Sequence, residues 1–365
     1  MKQCTSFKLT KIFAGFTYGS HALPGLLHFF LLSGLVSQIF AQAPAPPSPS
    51  PAVPAPTNAA PADQPPISLV ELMHRPEAIT RLQIFLDQHS FSPGKIDGHW
   101  GDFCAKALSR YQLAHGEQAS DHLSPEISRE LSQISPLYVD YQLTADDFRQ
   151  VGKAPLRPAE QAKVKSMPYR SILDFVAERY HCNEAYVRKL NSGRNMNKLK
   201  PGNTLRVPNV APFQVENIRP VENLPIDPAR STRTLKVDTR ARMLDILDGD
   251  KLIGSYPVTP GSKRLPAPIG TWKIVRITLM PWFRWDEEML NYGKRGSNFH
   301  NIPPGPRNPV GIAWIGLNKK GIGIHGTDNP EMIGHSASHG CIRLANWDVN
   351  RVANEVTDGM TVEIF

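Results

Sequence analysis

Hydrophobic residues recur at helical spacing between residue 67 and about residue 135. Two faces with this spacing can be followed, and a turn-rich run at 93–98 separates them. The first face consists of Ile79, Leu82, Phe85 and Leu86, and the second of Phe103, Ala107, Leu108 and Tyr111. This pattern predicts a small helical domain over residues 67–135.

A second stretch, residues 162–210, combines helical spacing with strand alternation. Its short helical faces consist of Ile172, Phe175 and Val176 and of Val187 and Leu190. Lys200-Pro201-Gly202 then form a turn, after which polar and apolar residues alternate from Thr204 to Val207. The combination predicts a small α+β domain.

From about residue 231 the apolar residues follow the spacing of short strands. The predicted strands cover 235–237, 243–247, 252–258, 272–275, 312–317 and 361–365. Asp248-Gly249-Asp250 supplies a hairpin turn between the second strand and the third. We therefore predict a mostly antiparallel β-sandwich or open barrel over residues 231–365, and a multidomain chain overall.

An aromatic insertion interrupts this last domain at residues 281–304. It carries Trp282, Phe283, Trp285 and Tyr292. The aromatic side chains are compatible with a lid over a substrate and with a packed loop, and the sequence does not decide between the two.

The first 41 residues have the layout of a secretory signal peptide. Three lysines come first, an apolar run follows from Leu26 to Phe40, and the next residues allow cleavage after Ala41 or Ala43. An uncleaved membrane anchor is the alternative, although the run is short for a span. Residues 42–66 are rich in alanine, proline and serine, which predicts a disordered linker that acts as a tether. No transmembrane span is predicted after signal cleavage.

Composition narrows the class of protein only modestly. Of 365 residues 41% are hydrophobic, which fits soluble globular domains, whereas 34 prolines are too many for one compact fold. The net charge of +8 suits an anionic wall or membrane surface, and a solvated basic face explains it equally well. The sequence has no basic stripe with interleaved aromatic residues, so it does not predict a nucleic-acid partner. Cys104 and Cys182 either form a disulfide between two domains or are buried free thiols.

The stretch from His325 to Arg343 carries the candidate chemistry. It contains Cys341, and a thiol becomes a strong nucleophile as a thiolate. An imidazole can generate the thiolate by taking the proton and remaining beside it as a cation. His325 and His339 are the two candidate bases.

The residues around these groups indicate how the stretch folds. Residues 321–324 predict a short buried strand that ends at His325, and Gly340 gives the returning loop the freedom to aim backbone N–H groups at one point. An oxyanion hole requires such convergence. Asn346 is predicted to cap the helix that follows.

A metal site is the rival interpretation of the same stretch. The candidate ligands are His325, His335, His339 and Cys341, a set that Zn²⁺ accepts. A closed site with four protein ligands gives no role to Ser338, Gly340 or Arg343, whereas an acyl-transfer site uses all three. We therefore predict no metal.

At these residues the chain resembles the L,D-transpeptidases of bacterial cell walls, which have a YkuD-like catalytic domain. The family signature is a histidine followed, after roughly a dozen residues or a few more, by Ser/Thr-His-Gly-Cys, an apolar residue and Asn or Arg. This chain has His325 and then Ser338-His339-Gly340-Cys341-Ile342-Arg343. Pro266–Ile274 and Asn308–Thr327 are also similar to family segments, so the resemblance covers roughly residues 231–365.

The two upstream domains are similar to wall-binding modules. The pairs Leu82-Gln83, Asp97-Gly98, Trp100-Gly101 and Tyr111-Gln112 resemble the small helical peptidoglycan-binding domain, for which a generic helical spacer is the alternative. Asn191 and Val207-Pro208-Asn209 resemble a LysM domain, a strand-helix-helix-strand unit that binds N-acetylglucosamine polymers. The resemblance implies that these modules concentrate substrate and take no part in the chemistry.

The resemblance to the transpeptidases also implies roles for single residues. Cys341 is the nucleophile, and His325 is the proton donor and acceptor, oriented by the carbonyl of Gly326. The remaining implied roles are oxyanion stabilisation by His339 and the backbone N–H groups of Gly340 and Cys341, and substrate contact by Ser338, Arg343 and Thr327.

The implied reaction is acyl transfer between peptidoglycan stem peptides. Cys341 attacks the carbonyl of the L-centre of meso-diaminopimelate in a donor tetrapeptide, expels the terminal D-Ala and holds the stem as a thioester. No cofactor is needed, the partners are stem peptides and glycan strands, and carbapenems are expected inhibitors. The implied location is the periplasm or the cell wall.

The acyl acceptor stays open at this point. An amine of a neighbouring stem gives a cross-link, water gives an L,D-carboxypeptidase, and a lipoprotein lysine or a free D-amino acid gives other transpeptidases. A catalytically inactive wall-binding protein is the alternative from a different class.

Overall fold

The computed structural model describes residues 68–118, 120, 122–262, 264–335 and 340–365. The predicted signal at 1–41 and the predicted linker at 42–66 lie outside the described residues, as do Ser338 and His339. In the described part of the chain, no helix combines the length and the apolar character needed to cross a membrane.

Helices dominate the first half of the described chain and strands dominate the second. The α-helices are α1 (Leu69–Met73), α2 (Pro76–Gln88), α3 (Asp102–Ala114), α4 (Pro125–Gln133), α5 (Ala145–Arg149), α6 (Pro158–Gln161), α7 (Ile172–Arg179), α8 (Glu184–Leu190), α9 (Glu287–Tyr292) and α10 (Asn346–Glu355). The strands are β1 (Tyr138–Gln142), β2 (Thr204–Pro208), β3 (Arg233–Asp238), β4 (Met243–Asp248), β5 (Lys251–Pro257), β6 (Thr259–Pro260), β7 (Gly270–Leu279), β8 (Phe283–Asp286), β9 (Phe299–Ile302), β10 (Ala313–Leu317), β11 (Gly323–His325), β12 (Ile342–Arg343) and β13 (Thr361–Ile364).

The upstream helical segment, residues 69–133, turns its two predicted apolar faces inward. Pro76 begins α2, where a missing backbone N–H costs nothing, and the Ser124 hydroxyl caps α4 by accepting from the amide of Ile127 at 3.2 Å. Phe103 is half-buried. The buried members of the predicted faces are Ile79, Leu82, Phe85, Leu86, Ala107, Leu108 and Tyr111.

The middle segment, residues 138–210, begins and ends with a strand. β1 pairs with β2 in an antiparallel ladder that sets Tyr138 opposite Pro208, and side chains of Ser171 and Asn183 cap α7 and α8. β1 lies upstream of residue 162, where the sequence pattern placed the start of this domain. Its residues are half-buried or exposed, so they lack the apolar alternation that marks a strand.

The C-terminal segment, residues 231–365, is built on one nine-stranded sheet with the order β5-β4-β3-β13-β7-β10-β11-β12-β6. Only the pairs β13–β3 and β11–β12 are parallel. Val258 alone separates the edge strands β5 and β6 along the chain, so the sheet curls until its edges nearly meet. Of the two predicted architectures, the fold is therefore the open barrel, and Gly249-Asp250 form the predicted hairpin turn.

The middle segment and the nine-stranded sheet share one hydrophobic core. A continuous cluster joins Phe175 and Val187 of the middle segment to Ile274, Ile315 and Val349 of the C-terminal segment. A second cluster fills the upstream helical segment. The described residues therefore belong to one compact unit, within which Cys104 and Cys182 are buried free thiols.

Candidate active site

The register between β11 and β12 places the candidate residues on one face of the sheet. The strands run parallel, with Ile324 beside Ile342 and His325 beside Arg343. Side chains alternate between the two faces of a strand, so His325 and Arg343 share a face, and Cys341, one residue before β12, follows the same alternation. Ile324 and Ile342 are buried on the opposite face.

Trp314 extends this face onto the neighbouring strand β10. It pairs with His325, and the two rings stack with centroids 5.4 Å apart and planes 18° from parallel. Gly323 makes room for the indole, because a Cβ atom there would lie 2.6 Å from the Trp314 ring. The stacked indole restricts the rotation of the imidazole.

His325 is a buried, neutral imidazole. Its Nδ1 lies 2.7 Å from the carbonyl oxygen of Gly326, and because a carbonyl only accepts hydrogen bonds, Nδ1 carries the proton and Nε2 is the basic nitrogen. Burial and the charge of Arg343 lower the pKa of His325 to about 3, while the Gly326 carbonyl opposes them. The ring is therefore uncharged at neutral pH.

Cys341 is half-buried and follows Gly340, whose φ of 99° favours glycine. Its Sγ lies 3.5 Å from the carbonyl oxygen of Gly321. Burial raises the pKa of the Cys341 thiol, and the backbone N–H of Gly323 and the charge of Arg343 offset only part of this increase. The resting pair is thus a neutral thiol and a neutral imidazole. This differs from the thiolate and imidazolium that the sequence suggested, because burial disfavours both charges.

Four neighbouring strands form the floor of a cavity of about 860 Å³. β7 contributes to it because Thr278 lies opposite Trp314 and Arg276 lies opposite Gly316 in the register with β10. The floor residues are Arg276, Thr278, Trp314, His325, Cys341 and Arg343. The candidate nucleophile and the candidate base therefore open into the same cavity.

The 281–304 insertion forms the roof of this cavity. It folds as β8, α9 and β9, and the two strands pair antiparallel. Of its five Phe, Trp and Tyr residues, Trp282, Phe283 and Trp285 line the cavity, whereas Tyr292 and Phe299 do not. The insertion thus covers the cavity that holds the candidate nucleophile and base.

A buried carboxylate, Asp286, holds the roof in shape. Its oxygens accept hydrogen bonds from the amides of Met289 at 3.1 Å and Gly296 at 3.0 Å and from the Arg284 guanidinium at 3.2 Å. The Arg284 guanidinium also lies 3.4 Å from the centroid of the Phe299 ring. These contacts stabilise the roof from within.

The cavity is lined by more positive than negative groups. Its arginines are Arg276, Arg284, Arg295 and Arg343, and its carboxylates are Glu222 and Asp286. Asp286 neutralises Arg284, whereas Arg276 and Arg295 are exposed and form no ion pair with any residue in the described part of the chain. The excess positive charge attracts anionic groups into the cavity.

Asn346 does not cap the helix that follows Cys341. Ala345 occupies the N-cap position, and the Oδ1 of Asn346 accepts from the amides of Ile312 at 3.3 Å and Thr327 at 3.2 Å. Buried backbone amides require a hydrogen-bond acceptor. The Asn346 side chain serves the amides of Ile312 and Thr327 and therefore does not cap the helix. Thr327 is buried and lies outside the lining of the cavity, so a substrate contact by its side chain remains only a prediction.

The candidate ligands of the rival zinc site do not all line the same cavity. His335 lines a second cavity beside Arg242 and Thr259, whereas His325 and Cys341 line the first. His339 lies outside the described residues. Among those that are described, no three His, Cys, Asp or Glu side chains come together in a group that could hold a metal ion.

Known proteins with similar sequences point to one family. Residues 232–364 match the family described as YkuD, L,D-transpeptidase catalytic domain. YkuD of Bacillus licheniformis, named as an L,D-transpeptidase, is 27% identical over 192 residues, which cover 53% of this chain and 92% of that protein. YqjB of Bacillus subtilis strain 168, also named as an L,D-transpeptidase, is 30% identical over 153 residues, which cover 40% of this chain and 79% of that protein. The chain belongs to the L,D-transpeptidase family.

Solved L,D-transpeptidase structures match this chain over part of its length. One from Mycobacterium smegmatis is 16% identical, with a TM-score of 0.30, and the match covers 37% of this chain and 58% of that one. The catalytic domain from Enterococcus faecium is 17% identical, with a TM-score of 0.30, and the match covers 37% of this chain and 98% of that one.

Two floor residues of the cavity, Trp314 and Arg276, were not predicted from the sequence. A usable signal lay in 313–317, where Ala313, Ile315 and Leu317 share one face and a tryptophan shares the other with a glycine. A large ring beside a glycine on a half-buried face indicates a site where a ligand or another part of the chain approaches the strand closely. Arg276 carried no such signal, because its place in the cavity depends on the register between β7 and β10.

Proposed function

We propose that this L,D-transpeptidase cross-links peptidoglycan stem peptides through a thioester on Cys341. The observation that carries the proposal is that Cys341 and His325 line one cavity from adjacent parallel strands. A thiol and a basic imidazole nitrogen in one cavity are the groups that acyl transfer requires. The donor that the family resemblance implies is a tetrapeptide stem ending in D-Ala.

In the first step the Cys341 sulfur attacks the carbonyl carbon between diaminopimelate and D-Ala. His325 Nε2 takes the thiol proton as the S–C bond forms and gives it to the amine nitrogen of D-Ala as the C–N bond breaks. A base that is neutral at rest can accept this proton, and the Gly326 carbonyl stabilises the imidazolium that forms. The products are a thioester and free D-Ala.

In the second step an amine of a neighbouring stem attacks the thioester carbonyl. The amine gives a proton to His325, the new C–N bond forms, and the C–S bond breaks as His325 returns that proton to the sulfur, which restores the Cys341 thiol. We assign oxyanion stabilisation in both steps to His339 and to the backbone N–H groups of Gly340 and Cys341. Convergent N–H groups stabilise charge that develops only in the transition state.

The charge of the cavity supports an anionic donor. A stem tetrapeptide with diaminopimelate carries two carboxylates near the bond that breaks, and Arg276, Arg295 and Arg343 line the cavity around Cys341. Carbapenems also combine an acylating carbonyl with a carboxylate, so we expect them to form an adduct on the same sulfur.

The upstream parts of the chain support an enzyme of the cell envelope. The predicted signal at 1–41 implies export to the periplasm or wall, and the linker at 42–66 implies a flexible tether. We propose that the peptidoglycan-binding-like domain at 67–135 and the LysM-like domain at 162–210 bind glycan strands. Attachment to the polymer raises the local concentration of stems at the cavity.

Intact-protein mass after incubation with a synthetic tetrapeptide donor tests the proposal. Wild type should gain the mass of the acylated stem and release D-Ala, and Cys341→Ala should do neither while still sedimenting with purified sacculi. Turnover in Cys341→Ala would contradict the cysteine mechanism. Absence of any adduct on a folded wild type would favour a catalytically inactive wall-binding protein.

The acceptor is identified by a second set of reactions with the acylated enzyme. A stem peptide, a lipoprotein-derived lysine peptide, a free D-amino acid or buffer alone is added, and the products are separated by mass. A cross-linked dimer is the result we expect to dominate. Dominant hydrolysis would identify an L,D-carboxypeptidase instead, and dominant transfer to the lysine peptide a lipoprotein-anchoring enzyme.

A further inference from the structure

The loop that follows His325, residues 326–328, is held from outside the C-terminal segment. Asp328 accepts hydrogen bonds from the Arg170 guanidinium of the middle segment, at 3.3 Å to its carbonyl oxygen and 3.4 Å to its carboxylate. Gly326 supplies the carbonyl that binds His325 Nδ1 at 2.7 Å. The position of this loop therefore sets the position of the imidazole.

Asn346 holds the same loop from its other side. Its Oδ1 accepts from Thr327, and a Cβ atom added to Gly326 would lie 2.2 Å from that oxygen. Its Nδ2 donates to Glu178 of the middle segment at 3.0 Å and to the carbonyl of Pro306 at 3.1 Å. Both ends of the buried amide are thus occupied, and its orientation is fixed.

Glu178 is anchored in turn by a buried ion pair. The Arg307 guanidinium donates to both of its carboxylate oxygens, at 3.3 and 3.1 Å, and both side chains are about 1% exposed. Arg307 also binds Asp174, one turn earlier on α7. A buried charge whose hydrogen bonds are all satisfied has little freedom to move.

We propose that the middle segment positions the catalytic base, with Glu178 acting through Asn346 on the loop that fixes His325. The inference rests on the proposed function of His325 and Cys341. It assigns the LysM-like segment a part in the chemistry besides glycan binding. Glu178 and Asn346 are positioning residues, because neither lines the cavity.

A second buried carboxylate offers a matched control. Asp87 of the upstream helical segment accepts from Arg351 of α10 at 2.8 and 2.9 Å and from His181 at 3.0 Å, and it is about 1% exposed. Like Glu178 it joins an upstream segment to an arginine of the C-terminal segment. Its contacts lead to Arg351 and to His181, which stacks on Trp347 with ring centroids 5.4 Å apart, and neither residue has a hydrogen bond to residues 326–328.

The experiment compares Glu178→Gln with Asp87→Asn in the full chain. Each variant replaces a buried carboxyl group by an amide of similar shape, so each removes an oxygen that accepts a hydrogen bond from an arginine and lowers stability. We expect Glu178→Gln to lower kcat for acylation by the tetrapeptide about 10- to 100-fold, with KM within about threefold, because small displacements of a base are costly. Asp87→Asn should change both constants by less than about threefold at a temperature where circular dichroism shows both variants folded.

Two further measurements separate positioning from general loosening. The amides of residues 311–328 should exchange hydrogen faster in Glu178→Gln than in Asp87→Asn. In an Asn346→Ala background, Glu178→Gln should have little additional effect on kcat, whereas Asp87→Asn should act independently. Equal kinetics for the two carboxylate variants, or additivity of Glu178→Gln with Asn346→Ala, would overturn the proposal.

Failure of the proposed function would look different. If the wild type were never acylated by the donor, the proposed acyl transfer through Cys341 would be wrong. Hydrogen exchange at 311–328 and the rate of Cys341 alkylation by iodoacetamide would still report whether Glu178 positions the loop. Unchanged exchange in Glu178→Gln would then overturn the positioning role by itself.

Discussion

The floor and the roof of the cavity are built in different ways. The floor is one face of β7, β10, β11 and β12, where strand register fixes each side chain and His325 is only 4% exposed. The roof is a single insertion at 281–304 in which Trp282 is 66% exposed and Tyr292 73%. Chemistry needs a fixed geometry, which paired strands provide, whereas recognition of a large polymer needs accessible surface. We therefore expect substitutions at His325 and its neighbours on the floor to lower kcat, and roof substitutions to raise KM.

The largest effect should come from His325 on the floor. His325→Ala should slow acylation by the donor about 10²- to 10⁴-fold, because general-base assistance is lost. His339→Ala is the informative partner, since the family resemblance implies that this residue stabilises the oxyanion. It should slow acyl transfer more than it slows alkylation of Cys341 by iodoacetamide. If His339→Ala removes the base and His325→Ala is tolerated, the assignment of the two histidines is reversed.

Gly323→Ala should give the next largest effect. The new methyl group would meet the Trp314 ring, so either the indole leaves its stack on His325 or the strand shifts. We expect kcat to fall about tenfold and stability by about 1–3 kcal/mol, measured by donor acylation and urea unfolding. Gly193→Ala is the control, because a Cβ there meets nothing within 4 Å. Equal kcat and equal stability of the two variants would show that the Trp314–His325 stack does not contribute to catalysis.

Substitutions at the roof should have smaller effects, confined to binding. Arg295→Gln should raise KM for a dicarboxylate donor about threefold to tenfold and leave kcat nearly unchanged, because an exposed charge contributes about 1 kcal/mol to binding. The adjacent Lys294 is exposed and does not line the cavity, so Lys294→Gln is the matched control. A donor with an amidated diaminopimelate side chain should reduce the difference between wild type and Arg295→Gln. A fall in kcat alone would contradict the division between floor and roof.

The smallest change is expected when the wild type is assayed across pH. Because burial lowers the pKa of His325 to about 3 and raises that of the Cys341 thiol, kcat should vary less than about twofold between about pH 5 and 8. Alkylation by iodoacetamide should still increase above about pH 9, since it follows the thiolate fraction. A plateau in alkylation below about pH 7 would instead indicate a preformed thiolate and imidazolium.

Stability should change with pH in the direction set by the same histidine. An unfolded histidine binds a proton near pH 6.5, whereas the folded His325 stays neutral down to about pH 3. At this residue the unfolded chain therefore binds more protons between these values, and the contribution of His325 to the free energy of unfolding falls as pH falls through that window. In His325→Ala this part of the dependence, measured by thermal unfolding from pH 7 to 4, should be lost.

Much of the fold follows from local pattern. The buried faces of α2 and α3, the strands β3 to β5 and the hairpin at Gly249-Asp250 are where periodicity and turn chemistry predict them, because such elements depend on neighbours in sequence. The stretch around Cys341 was enough to predict the family. β1 was not predicted, because apolar and polar residues alternate only weakly in it and it forms a strand by pairing with β2, which is distant in sequence.

The arrangement of the site is set by tertiary contacts. His325 and Cys341 share a face because β11 and β12 pair in one register, and the pair is neutral because the surrounding protein buries it. The sequence predicts that Asn346 caps a helix. In the structure its side chain instead holds the loop that follows His325, through hydrogen bonds with Thr327 and Glu178. The sequence by itself determined which chemical groups this protein has. Burial and register, which depend on residues far apart along the chain, decided their charge and orientation.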